Sequence, residues 1–206
     1  MKRLLVFLAG LLAATFSIAD DIAPDALVRM VSNDVLEIVR KDKDIQSGDL
    51  RKAVELAEVK VLPHFDFAHM TKLAVGKDWR KATADQRQSL TQEFRTLLVR
   101  TYSKAFVEYR NQAIAFKPLK MQPADTDVLV RTVVNQTAGK PVQIDYNLEK
   151  TDQGWKVYDI AVAGISLVTT YRSSFAQEIS THGIDGLIAS LRAKNQTGDD
   201  SVATKG

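Results

Sequence analysis

The sequence predicts an α+β domain in which helices pack on one face of a four-stranded antiparallel sheet and enclose an apolar cavity. Three observations carry this. Apolar residues recur at helical spacing up to about residue 110 and again after Gly164, and between Ala113 and Ala163 they alternate with period two. The longest helix carries an apolar stripe too wide to face one neighbour.

Taken in order, a first helix is expected from about Ala23 to Lys41, with Leu27, Val31, Val35 and Ile38 in phase and Pro24 tolerated in the first turn. Ser47-Gly48 separates it from a second, from about Asp49 to Val61, which Pro63 stops. Asp66 is placed to cap a short third helix and Gly76 to end it. Thr83, with Gln86 three residues on, forms a capping box at the start of the longest helix, which should reach about Arg110. Its stripe of Leu90, Phe94, Leu97, Leu98, Thr101 and Ala105 is widened by Tyr102, Phe106 and Tyr109.

Four strands follow, near residues 113–116, 127–135, 142–150 and 155–163, separated by turn signals at Pro123, Ala138-Gly139 and Asp152-Gln153-Gly154. In the third, Val142, Ile144, Tyr146 and Leu148 oppose Gln143, Asp145, Asn147 and Glu149, so one sheet face is solvated. After Gly164, Val168, Tyr171, Phe175 and Ile179 mark a helix that Gly183 ends, and Ile184, Leu187, Ile188 and Leu191 mark a last one. Residues 20–194 form a single domain on this reading. The segment from Asn195 to Gly206 has no apolar period and is expected to be a disordered tail.

Lys2 and Arg3, the apolar run Leu4 to Phe16 and the small residues Ser17 and Ala19 form the pattern of a secretory signal peptide covering residues 1–19. The run is too short for the roughly 20 residues a membrane-spanning helix needs. Two of the 28 basic residues and none of the 25 acidic ones lie in this leader, so the mature chain is nearly neutral. That balance, without Lys/Arg runs, argues against a nucleic-acid partner. The absence of cysteine excludes disulfides, thiolate metal sites and a lipid-attachment cysteine behind the leader.

Candidate chemistry is sparse. His64, Asp66 and His69 have loose metal-ligand spacing, but a helix cap at Asp66 and two ordinary histidines account for them, and no metal is assigned. His182, next to Gly183, suits a helix C-terminus. Gly164-Ile165-Ser166-Leu167-Val168 falls where a nucleophile elbow would, but Val168 stands where that motif needs glycine, and Ser166 reads better as an N-cap. Glycine-rich phosphate loops are missing. Lys72, Lys77, Arg80 and Lys81 surround Trp79, and the cluster has two readings: contacts to phosphate head groups beside an apolar opening, or an ordinary solvated face.

Several stretches together resemble the MlaC, or toluene-tolerance, family: Phe65-Asp66-Phe67 followed by Gly76-Lys77-Asp78-Trp79, the helix from Gln86 to Tyr102, Gly164-Ile165-Ser166-Leu167 followed by Tyr171-Arg172-Ser173-Ser174-Phe175, and Gly183-Ile184-Asp185-Gly186-Leu187-Ile188. The likeness implies a fold distantly like nuclear transport factor and a monomeric periplasmic phospholipid carrier without cofactor or catalytic residue. It implies two partners, an outer-membrane lipoprotein-porin complex and an inner-membrane ABC transporter complex, between which lipid moves to maintain outer-membrane asymmetry. Physics favours a carrier for such cargo. About 30 methylenes at ~0.8 kcal/mol each cost roughly 24 kcal/mol in water, whereas exchange between a bilayer and an apolar pocket is nearly neutral.

The pocket is expected to draw on the long helix (Leu98, Tyr102, Phe106), the apolar sheet face (Ile144, Tyr146, Val157) and the junction after the sheet (Ile165, Val168). Tyr158 or Ile160 stands as an alternative to Val157. Two other functions compete with the carrier. One is an acid-base enzyme using Asp145 or Asp159 beside a tyrosine, which needs a buried carboxylate with a raised pKa; the other is a protein-binding module with no enclosed cavity.

Overall fold

Local chain chemistry sets each helix boundary in the computed structural model, which describes residues 22–103, 112–135 and 139–197. The expected leader, the far end of the longest helix with Phe106, and the chain beyond Thr197 lie outside these residues. Helix α1 (Pro24–Lys41) starts on its proline without a side-chain cap and carries Asp25 in its first turn and Arg40 and Lys41 in its last, matching the helix dipole. Asp42 caps a single turn the sequence reading did not anticipate, α2 (Lys43–Gln46), by accepting the N–H groups of Asp44 and Ile45. Asp49 caps α3 (Leu50–Lys60) through Lys52 N–H. Pro63 then sits in a 3-10 turn, Leu62–His64.

The predicted caps are present. Asp66 accepts the His69 N–H at 2.8 Å and starts α4 (Phe67–Val75), and Gly76, at φ 66°, ends it. Thr83 and Gln86 form both bonds of the capping box that opens α5 (Ala84–Tyr102). The last helix, α6 (Arg172–Thr197), bends at Gly183, whose φ of 73° and ψ of −177° are not helical. Helix therefore runs past residue 194, where the sequence reading ended the domain. Asn195 is buried, and its Nδ2 donates to both the backbone carbonyl and the side chain of Glu93 at 2.9 Å.

The bend at Gly183 folds the chain onto itself tightly enough that a Cβ on Gly186 would lie 2.2 Å from the His182 Cβ. Gly186→Ala should therefore cost on the order of 1–3 kcal/mol, as overpacking does. Urea denaturation measures it; a cost below 0.5 kcal/mol, the scale of a neutral surface change, would show that the bend is not needed.

Five strands rather than four make the sheet, all antiparallel in the order β1 (Ala113–Phe116), β2 (Asp127–Asn135), β3 (Val142–Thr151), β4 (Gly154–Val162) and β5 (Ile165–Ser166). The fifth escaped the sequence reading because it is two residues long. It folds back through Ala163 and Gly164, at φ 51° and 84°, positive at both positions as a two-residue hairpin turn requires.

Pairing of β3 with β4 contains a bulge. Leu148 faces Val157 while Asn147 faces Asp159, so Tyr158 is the extra residue. Val157, Ile160 and Val162 consequently share the face of Leu148, Tyr146 and Ile144. Strict alternation cannot deliver that arrangement.

Helices cover the inner face of the sheet. Between α4, α5 and α6 lies an aromatic core in which Phe94, fully buried, meets Tyr171 and Phe175 edge-on at 5.2 and 5.3 Å. A second core joins Leu27 and Val28 of α1 to Val130, Leu148 and Trp155 of the sheet, and a third joins α1 to Ile45 and Leu56.

Candidate functional site

Between these cores the helices and sheet do not close, leaving a cavity of about 350 Å³. From α1 it receives Leu27, Val31 and Val35; from the chain into α4, Phe65, Phe67 and Met70; from α5, Leu98, Val99 and Tyr102. The sheet contributes Ile144, Tyr146, Val157, Ile160 and Val162, together with Ile114 and Val134. Phe65 and Phe67, stacked at 5.8 Å on the chain entering α4, are a sequence signal that could have placed this element at the site, whereas the amphipathic period of α1 does not separate a cavity wall from a packed core.

Of the residues expected in the pocket, Leu98, Tyr102, Ile144, Tyr146 and Val157 line it, and Phe106 lies outside the described residues. Ile160 lines it together with Val157 because of the bulge, rather than replacing it. Two expectations are corrected. Ile165 is 65% exposed, because the hairpin at Ala163-Gly164 carries it to the edge strand. Val168 is fully buried in the aromatic core, and Leu167 takes the wall position, its N–H held by the Ile160 carbonyl at 2.7 Å.

The basic cluster is also placed elsewhere. Lys72, Lys77, Trp79, Arg80 and Lys81 do not line the cavity. Gly76 turns the chain away, Trp79 packs against the aromatic core under the Arg87 guanidinium, and Lys81 pairs with the buried Asp78 at 2.7 Å.

Ionisation makes the wall neutral. Burial, and then the neighbouring Tyr171, push the Tyr102 phenol far up, and burial raises Tyr146 against a weaker opposing bond to Thr132. His64 is held below the usual imidazole range by burial and then by Lys156. At neutral pH this wall therefore carries no charge, which suits apolar cargo and gives acid-base chemistry no ionised partner.

The carboxylates considered for catalysis face away. Asp145 takes both its bonds from Gln143 Nε2, at 3.0 and 2.9 Å. Asp159 is buried and its pKa is raised by burial, but it receives the Ser166 hydroxyl at 2.9 Å and fastens the β5 hairpin instead of opening on the cavity. Ser166 in turn accepts the Thr169 N–H at 3.0 Å, as a cap does. Glu178 and His182 bond to each other at 3.0 Å. His69 Nδ1 lies 2.7 Å from Glu149, and among the described residues no group of three metal-ligating side chains comes together. Nor is any described helix long and apolar enough to cross a membrane.

Asp159 has a measurable signature. A carboxyl whose folded pKa exceeds its unfolded value near 3.9 contributes most favourably below that value and loses ground as pH rises through the folded one. The stability of the protein relative to Asp159→Asn should therefore decline as pH rises from about 4. Paired urea titrations across that window check the sign, and a difference that stays flat or grows contradicts it.

Comparison with known proteins fits this geometry. A family model described as MlaC protein matches residues 29–193. Toluene tolerance protein ttg2D of Pseudomonas putida is 33% identical over 129 residues, 59% of either chain. The intermembrane phospholipid transport system binding protein MlaC of Haemophilus influenzae is 20% identical over 192 residues, 92% of this chain and 90% of that one. A solved phospholipid-binding protein from Ralstonia solanacearum, in complex with a phospholipid, superposes with a TM-score of 0.78 at 40% identity, covering 84% of this chain and 97% of its own.

Proposed function

Since the chain belongs to the MlaC family, we propose that it is a periplasmic phospholipid carrier, a monomer that holds acyl chains in its apolar cavity and passes them between membrane complexes. The single observation that carries the reading is the uncharged, apolar cavity of about 350 Å³ between helices and sheet. The phospholipid seen in the Ralstonia solanacearum protein and the name of the Haemophilus influenzae relative support it.

The mechanism follows from transfer energies. Each methylene moved from a bilayer into this wall exchanges one apolar environment for another, so loading is nearly neutral, whereas release into water costs ~0.8 kcal/mol per methylene. Cargo therefore leaves only where another apolar conduit receives it. The partners in this scheme are an outer-membrane lipoprotein-porin complex and an inner-membrane ABC transporter complex, and the outcome is outer-membrane lipid asymmetry. Binding and shielding are all that the residues of the chain need supply, so no catalytic step or cofactor enters the scheme.

Native mass spectrometry of protein freshly purified from a Gram-negative host tests this. One phospholipid mass per chain is expected, and a lipid-free chain after mild purification would contradict the carrier.

A further inference from the structure

The helices fall into two bodies that meet at the cavity. α4, α5 and α6 share the aromatic core from Met70 to Leu191. The chain before α4 is joined to the sheet, where the Asp66 N–H donates to the Val157 carbonyl at 2.9 Å and Lys156 Nζ to the Pro63 carbonyl at 2.7 Å. α1, α2 and α3 have a core of their own, Val35, Val39, Ile45 and Leu56, and the half-buried side chains packed on it also fall between Val31 and Val61. Lys52 ties this unit together, with Nζ 2.5 Å from Asp44 and 3.6 Å from Asp42. A unit with its own core moves as one piece.

This piece roofs the cavity with Val31, Val35, Ala57 and Val61, and it is anchored unevenly. At one end Leu27 and Val28 pack into the core beneath α1, and the Arg29 guanidinium lies 4.1 Å from the centre of the Phe116 ring. At the other, the chain re-enters the body through the 3-10 turn Leu62–His64. Between those ends, polar side chains fasten it: Glu58 of α3 pairs with Arg95 of α5, and Arg40 donates to the Gln112 carbonyl at 3.3 Å. Arg95 also lies over the ring of Phe67, a wall residue, at 5.6 Å, so the ion pair sits beside the cavity.

An acyl chain enters only where packed elements part. Parting α4, α5 and α6 breaks the aromatic core, and parting the strands breaks their hydrogen-bond ladder. Raising the roof breaks the Glu58–Arg95 and Arg40 bonds and leaves the aromatic core and the roof's own core whole. At ~1.5 Å per residue α1 extends about 20 Å from Val28 to Lys41, so a pivot of ~15° at its anchored end moves the far end by about 5 Å. That exceeds the ~4 Å at which apolar groups touch, and a slot opens along the cavity.

We infer that α1–α3 is a flap through which cargo enters and leaves, hinged at Leu27–Val28 and at Leu62–His64, and that the Glu58–Arg95 pair is its latch. The inference rests on the carrier reading and adds to it the route of exchange and the residue pair that sets its rate. Removing the latch raises the closed state whether the cavity is filled or empty. Loading and release therefore speed up by the same factor, and the amount of lipid held at equilibrium stays the same.

Release of a fluorescent phospholipid from loaded protein is followed into phosphatidylcholine vesicles, which are zwitterionic, so an altered protein charge does not change the encounter. Glu58→Gln should release label about three- to fivefold faster, the scale of one partly shielded ion pair. Glu58→Arg, which sets two cations together, should be faster still, and Glu58→Arg combined with Arg95→Glu should return to within about twofold of wild type. Wild-type rates in both single variants overturn the latch, and so does a charge swap that stays as fast as Glu58→Arg.

Amide exchange gives a second readout that needs no lipid uptake. In Glu58→Gln the amides of α1–α3 should exchange faster while those of α4–α6 and the sheet hold. Uniform acceleration would mark general destabilisation and overturn the flap. Wild-type protein that takes up no phospholipid contradicts the carrier reading instead, and the exchange pattern still decides whether α1–α3 opens alone.

Discussion

Stripping the bound lipid is expected to lower the melting temperature by roughly 15–30 °C or to make the cavity close. An unfilled apolar cavity costs ~24 cal/mol per Å³. At about 350 Å³ the penalty is ~8 kcal/mol, comparable to the ~5–15 kcal/mol that holds a domain together. For a domain of this size each kcal/mol shifts the midpoint by about 2–4 °C. Calorimetry on protein delipidated by detergent exchange, with amide exchange on α1 and β4 to detect closure, distinguishes the two responses. A stripped protein with an unchanged midpoint and unchanged exchange would show that lipid does not fill this space.

Ile144→Lys is expected to reduce bound lipid to below about a tenth of the wild-type amount. Ile144 lines the cavity, and Thr132, its neighbour in the β2 register, is fully buried, so the ammonium cannot easily turn to water. A buried lysine either remains charged at a cost of several kcal/mol or loses its proton, and either state sets a polar head against acyl chains. Gln143→Lys, one residue earlier on the opposite face, should load normally. Equal loading of the two variants, with both folded by circular dichroism, would contradict the assignment of the inner face.

Features governed by near neighbours in sequence were legible without coordinates. The Asp66 cap, the Thr83–Gln86 capping box and the stop at Gly183 each involve chain positions within a few residues, and each is present. The alternation of β3 identified its inner face for the same reason: period two is a local property of an extended chain. Features set by partners were not legible. Nothing local distinguishes Val168 in a core from Leu167 on a wall, because Leu167 is held in place by the Ile160 carbonyl of β4. The role of α1 was missed because an amphipathic stripe looks the same whether it faces a packed core or a space. His64 reads from the sequence as an ordinary histidine, since its place on the cavity wall depends on the sheet alongside it.

The extra residue at Tyr158 makes β4 a strand of mixed parity. Trp155 and Val157 are odd and Ile160 and Val162 are even, yet all four point inward. The odd half completes the core beneath α1, and the even half completes the cavity wall. Removing Tyr158 alone would leave Val157, Asp159 and Ile160 in plain alternation, with Val157 and Ile160 still inward and Asp159 still outward. Removing Asp159 as well would bring Val157 and Ile160 side by side in the chain and turn one half outward. A single deletion at the bulge is therefore tolerated where a double one is not, a constraint on insertions and deletions rather than on residue type.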